Sequence, residues 1–236
     1  MVDTRVARMT SATPVGPDEF AERLASIRGR IESAAPEPDR VTLLAVTKGF
    51  GPEAVRTALA AGLVAVGENY ADELVAKAAT LAAEPGPAPA WHYLGAIQRN
   101  KVPRLAPVVA CWQGVGRIEE GRAIARRHPG ARILVQVDVA GLPGRGGVPP
   151  AEVEALVGLL RAEDLDVDGL MAVGRPGPPE GARDGFQEVT RLADALGLPT
   201  RSMGMTDDLE VALSEGSTMI RVGRALFGER PLRVTS

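Results

Sequence analysis

Val41-Thr42-Leu43-Leu44-Ala45-Val46-Thr47-Lys48 is a short, partly β-branched apolar run closed by a lysine, and Gly49-Phe50-Gly51 follows it at once. A run of that length, bounded by a turn signal, reads as a strand. Seven further runs of the same kind occupy 64–68, 91–95, 109–114, 132–139, 169–173, 200–204 and 219–222. Helical patterns separate them at 52–61, 71–82, 99–105, 118–127, 150–162, 182–196 and 207–215; a last one lies at 224–227, and an amphipathic stretch at 18–35 precedes the first strand. Pro52, Pro149-Pro150 and Thr206-Asp207-Asp208 supply the chemistry of helix starts. Eight strand–helix units in about 200 residues predict an α/β fold of the closed (β/α)8 barrel type. The expected organisation is one domain over 18–230 with an extra N-terminal helix, a flexible tail at 1–17 and a short tail at 231–236. The alternative, an open doubly wound sheet, calls for a G-x-G-x-x-G turn after the first strand, and Lys48-Gly49-Phe50-Gly51 lacks that spacing.

Composition narrows the partners. The chain has 236 residues, 45% of them hydrophobic, and a net charge of −3. Its arginines are scattered, so neither nucleic acid nor an anionic membrane surface is expected. No apolar stretch reaches the length of a membrane span. A single cysteine, Cys111, excludes an intramolecular disulfide, and His92 and His128 lie apart without metal-ligand spacing, so no metal is expected. Without a basic stripe a small ligand is the expectation, and because the opening residues lack the apolar segment of a secretory signal, a cytoplasmic location is expected. A monomer is expected.

Only three of the 27 basic residues are lysines, at 48, 77 and 101. Arginine serves a solvated surface as well as lysine, but only the lysine amine can lose its proton and attack a carbonyl to form an imine. Lys77 falls on the polar face of a helical stretch and reads as a solvated residue. Lys48 closes the first strand, and Lys101 follows Gln98-Arg99-Asn100 beyond the third.

In a barrel the reactive face lies at the C-terminal ends of the strands. Those ends carry Lys48, then Glu68-Asn69-Tyr70, then Gln98 to Lys101 with Asn100 among them, then Asp138, Met171, Ser202 to Thr206, and Arg221 to Arg224. The last two segments join strand to helix through Gly204 and Gly223, where backbone N–H groups can take a phosphate, and Ser202 and Thr206 can add hydroxyl donors. The competing reading is that both glycines only permit tight turns and Thr206 only caps a helix. A lysine facing a phosphate cradle suits a phosphorylated aldehyde held as an imine, and pyridoxal 5'-phosphate fits. Arg221 would then donate to the pyridine nitrogen. His92 reads first as a satisfied core histidine and second as a rim residue; Glu68 and Asp138 read as acids or as structural partners.

Leu44-Ala45-Val46-Thr47-Lys48, Gly67-Glu68-Asn69-Tyr70, Trp91-His92-Tyr93-Leu94-Gly95 and Gln98-Arg99-Asn100-Lys101 occur in this order. Gly169-Leu170-Met171-Ala172, Ser202 through Asp208 and Gly216 through Gly223 complete a set that resembles the pyridoxal-phosphate homeostasis proteins. The resemblance implies a barrel like the N-terminal domain of alanine racemase, with Lys48 carrying pyridoxal phosphate as an aldimine. It also implies Asn69 and Met171 against the ring, Arg221 at the pyridine nitrogen, and Ser202, Gly223 and Arg224 at the phosphate. Many relatives have a second lysine where this chain has Arg145, and a small hydroxyl residue where it has Arg224.

The implied function is a noncatalytic carrier acting in pyridoxal-phosphate homeostasis and amino and keto acid balance, with pyridoxal-phosphate-dependent apoenzymes as transient partners. Racemisation needs a base on each face of the imine, and Lys48 supplies one. The alternatives are a slow racemase or transaminase-like enzyme using water or Tyr70, and a Schiff-base phosphosugar aldolase. Lys101, a rim amine, is the other lysine available for handing the cofactor onward.

Overall fold

A computed structural model describes residues 13–142, 144 and 146–229. Eight parallel strands close into a barrel in sequence order: β1 (Thr42–Val46), β2 (Ala65–Glu68), β3 (Ala90–Tyr93), β4 (Val109–Val115), β5 (Arg132–Val137), β6 (Asp166–Ala172), β7 (Thr200–Ser202) and β8 (Met219–Val222). The last strand returns to the first, with Leu43 opposite Ile220 and Leu44 opposite Arg221. The predicted (β/α)8 barrel is therefore the observed fold.

The helices are α1 (Pro17–Ala34), α2 (Pro52–Ala60), α3 (Ala71–Ala82), α4 (Val102–Leu105), α5 (Ile118–Ala125), α6 (Val153–Ala162), α7 (Arg183–Ala195), α8 (Leu209–Ser214) and α9 (Arg224–Phe227). Alternate strand side chains point in opposite directions, which sorts each apolar run into two populations. Val66, Trp91, Trp112, Ile133 and Leu170 face outward into a large core shared with α3 to α7. Leu43, Ala45, Ile220 and Val222 face outward into a second core with α1, α2, α8 and α9, where Phe20, Phe50 and Phe227 meet ring to ring. The inward set fills the barrel: Leu44, Ala65 and Met219 in one cluster, Cys111, Leu134 and Met171 in another.

Several boundaries differ from the sequence expectation, three of them for evident local reasons. β7 stops at Ser202 because Gly204 adopts φ +91°, a left-handed conformation that turns the chain toward α8. α8 begins at Leu209, since the Asp208 carboxylate accepts the Met205 N–H at 2.6 Å and makes a turn of the segment expected to start the helix. α4 begins at Val102 because Lys101 N–H closes a turn on Gln98 O at 2.8 Å. Of the expected N-terminal tail, 1–12 lie outside the described residues and Pro17 already belongs to α1; of the C-terminal tail, all of 231–236 lie outside them.

Candidate functional site

Strand ends meet the loops in a cavity of about 430 Å³ on the C-terminal face of the barrel. Lys48 enters it from the end of β1, Asn69 from the end of β2, Met171 from β6, Thr206 from the β7–α8 connection, and Arg221, Gly223 and Arg224 from β8 and its turn into α9. These expected residues thus share one wall system. Lys48 and Asn69 are half-buried, and the Asn69 Oδ1 atom is enclosed with no hydrogen-bond partner among the described residues. An enclosed amide oxygen without a donor is costly unless a ligand supplies one.

Arg221 is the buried cation of the site. It donates to the Ser202 carbonyl at 2.5 Å, the Ser202 hydroxyl at 2.8 Å and the Ala172 carbonyl at 2.7 Å, all neutral oxygens. Burial pushes its guanidinium down to about 10, so the charge persists at neutral pH. An arginine only donates, so the Ser202 oxygen accepts and its single proton passes to Gln113 Oε1 at 2.7 Å. The Gln113 amide then donates to His92 Nδ1, also at 2.7 Å. This places the imidazole proton on Nε2 and makes a one-directional chain from β8 through β7 and β4 to β3.

His92 accordingly lies inside the barrel and not on the rim, as its core reading expected; burial lowers its pKa to about 4 and keeps it neutral. Ser202 and Gly204 do not line the cavity. The Ser202 hydroxyl is committed to Arg221 and Gln113, and an added Cβ at Gly204 would stand 2.6 Å from Ala212 Cβ, so this glycine permits both a turn and a close helix approach. Thr206 does not cap a helix; its carbonyl accepts from Arg30 at 2.9 Å.

The remaining rim candidates stand apart from the cavity. Asn100 is exposed, and Lys101 pairs at 3.2 Å with Asp72, which also holds Arg104 at 2.7 Å. The two cations keep the Asp72 carboxyl below the usual carboxylate range. Tyr70 precedes α3 outside the cavity lining. Arg145 lies outside the described residues. Arg224 meets both Asp207 carboxylate oxygens at 2.6 Å, so its charge is already matched at the cavity edge. Asp138 accepts N–H donors from Ala140 and Gly141 at 3.2 and 2.9 Å and shapes the loop after β5.

Lys77 contradicts its reading as a solvated residue. It is 4% exposed, donates to the Thr47 carbonyl at 2.8 Å, and forms an ion pair with the fully buried Glu68. The Thr47 hydroxyl also donates to Glu68, at 2.8 Å. Burial pushes the Glu68 carboxyl up, against the opposing pull of the Lys77 ammonium.

The sequence assigned no role to Val46, Leu94, Val173 and Phe50, which add apolar wall. Period-two spacing from Leu44, His92 and Met171 would have found the first three. Phe50 is in a loop and sends no such signal.

Residues 18–231 match the family described as alanine racemase, N-terminal domain. A pyridoxal phosphate homeostasis protein of Pseudomonas aeruginosa is 37% identical over 225 residues, covering 89% of this chain and 96% of that protein. Two solved structures of PipY from Synechococcus elongatus PCC7942 also superpose. The one without pyridoxal phosphate gives a TM-score of 0.78 at 32% identity, and the one with it bound gives 0.75 at 31%; each covers 89% of this chain and 100% of the other.

Proposed function

The chain belongs to the alanine racemase N-terminal domain family and, within it, to the pyridoxal phosphate homeostasis proteins, and from that premise we propose that it binds pyridoxal 5'-phosphate through Lys48. One observation carries the reading: a single cavity joins the half-buried Lys48 to a buried Arg221 held by neutral oxygens and to an Asn69 oxygen that has no partner among the described residues. Those donors and acceptors fit a phosphorylated pyridine aldehyde. When bound, the cofactor supplies an aldehyde that a lysine amine captures reversibly with loss of one water.

Lys48 is the residue that would hold the group covalently, and capture draws on the neutral amine, not the ammonium. Arg221, fixed by three neutral oxygens, would donate to the ring nitrogen and keep a proton off it, which restrains the ring as an electron sink. Met171 and Asn69 would bracket the ring. Thr206 and the first N–H groups of the turn at Gly223 would take the phosphate, with Arg224 beside them still held by Asp207.

The carrier reading is supported by where the tyrosines stand. Among the described residues neither Tyr70 nor Tyr93 lines the cavity, so neither is placed as a second base. A cytoplasmic, monomeric carrier that passes its cofactor to apoenzymes completes the reading. Lys101, tied to Asp72 outside the cavity, is set aside as a second holding point.

Absorbance before and after borohydride reduction, followed by peptide mapping, tests the assignment. The pyridoxyl label is expected on Lys48 and absent from Lys48→Ala; a label on Lys77 or Lys101 instead overturns it. Deuterium uptake at the α-carbon of added L-amino acids, lost in a folded Lys48→Ala, would overturn the noncatalytic part alone.

A further inference from the structure

Behind Lys48 lies a set of side chains that grips the main chain on both sides of it. β1 ends at Val46, and just beyond, the Thr47 carbonyl accepts from the Lys77 ammonium at 2.8 Å. Two residues on, the Gly49 N–H donates to the Glu73 carboxylate at 2.8 Å. Glu73 and Lys77 are successive turns of α3, spaced i,i+4 on the helix face turned to β1. Glu68, the last residue of β2, receives both the Lys77 ammonium and the Thr47 hydroxyl. Thr47, Glu68, Glu73 and Lys77 are each at most 5% exposed.

Such a cluster is a poor source of stability. Desolvating one ammonium and two carboxylates offsets much of their attraction, and apolar residues of equal volume often serve as well or better. What charged hydrogen bonds supply is direction, because each fixes a donor and an acceptor to a narrow geometry. Here both anchored groups belong to the peptide units that flank one residue.

We propose that Glu73, Lys77 and Glu68 are positioning residues that clamp the backbone on either side of Lys48 and so aim its amine into the cavity. The inference rests on the reading of Lys48 as the capturing amine. None of the three clamp residues lines the cavity, so they act through the chain and not on the ligand. The clamp also gives the lysine at position 77 a role that its place in the helix pattern does not. Its long stem reaches through the packing of α3 while its ammonium finds Thr47 and Glu68.

The test follows covalent capture of added pyridoxal 5'-phosphate by absorbance across a pH series, in wild type, Glu73→Gln and Glu73→Leu. Borohydride trapping and peptide mapping assign the product among only three lysines. Folding is checked by circular dichroism. The amide oxygen that Glu73→Gln introduces can still accept from Gly49, so this variant is expected within about threefold of wild type. Glu73→Leu is expected to lower the high-pH rate plateau by about tenfold or more, the scale set by misplacing a reacting group by a fraction of an ångström to one ångström.

A folded Glu73→Leu with the wild-type plateau, or with only a shifted midpoint, overturns the clamp. Should Glu73→Leu not fold, Glu73→Ser, whose hydroxyl is too short to reach Gly49, carries the same expectation and the same refutation. Failure of wild type to label Lys48 would instead strike the reading of the site, which keeps the two outcomes distinct.

Discussion

Lys77 and Lys48 are the same residue type with opposite surroundings, and only one of them was legible. Lys48 announced itself by closing an apolar run; Lys77 sits i,i+4 from Glu73, the usual pattern of a solvated helix pair. Periodicity assigns a residue to a helix face but says nothing of what that face meets. In α3 the buried stripe mixes Ala71, Leu74 and Ala78 with Glu73 and Lys77, and the small alanines leave room for the long side chains to turn inward. Removing one partner of the Lys77–Glu68 pair strands the other charge. Lys77→Met is therefore expected to cost about 3–5 kcal/mol, whereas Lys77→Met combined with Glu68→Gln should recover most of that loss. Urea unfolding of the two variants against wild type measures the difference, and additive losses would show that the pair is not coupled.

At the scale of elements, connections carry what strands cannot. Seven of the eight strands were readable from apolar runs, because a strand sandwiched between barrel interior and helices needs an apolar residue on both faces, whereas β7, Thr200-Arg201-Ser202, was marked by its place in the alternation. Their ends were not, since the closing residues obey side-chain and turn geometry: Asp208 takes the Met205 N–H, and Gly204 turns at positive φ. Gly95, in the connection after β3, shows how tightly one connection rests on another. A Cβ there would lie 2.1 Å from the Asn69 carbonyl and 2.9 Å from the Tyr93 hydroxyl. Backbone cannot yield to a methyl group as a flexible side chain can. Gly95→Ala is expected to destabilise the fold by about 1–3 kcal/mol, the range for overpacking, and to displace Asn69 from the cavity wall. Chemical denaturation reads the first effect, and weakened pyridoxal phosphate binding in titration reads the second. Stability and binding both unchanged would mean that the two connections part without cost.

For the whole molecule, the inside of the barrel matters as much as its rim. The sequence marked Arg221 and Ser202 as site residues, yet nothing in it pointed to Gln113, which is fully buried and links them to His92. A glutamine in an apolar run carries no periodic signal of its partners, which come from strands 21 and 89 residues away. The arrangement makes stability depend on pH. His92 has a folded pKa of about 4 against an ordinary 6.5, so the unfolded chain binds the proton more readily between those values. Its contribution is complete above about pH 6.5 and is lost as pH falls toward 4, on the order of 3 kcal/mol in all. His92→Gln should flatten that part of the stability profile, measured by urea unfolding from pH 7 to pH 4; an unaltered slope would assign the acid sensitivity elsewhere.

The chain from Arg221 through Ser202 and Gln113 to His92 also gives the barrel a head and a tail. Each group in it donates to the next in the order Arg221, Ser202, Gln113, His92, like compass needles aligned by the one magnet that cannot be reversed. A ligand atom that accepts from Arg221 joins the row without disturbing it. A donor in the same place would meet only another donor and find nowhere to put its hydrogen. One arginine thus sets two polarities at once, that of the side chains behind it and that of the atom the cavity can accept.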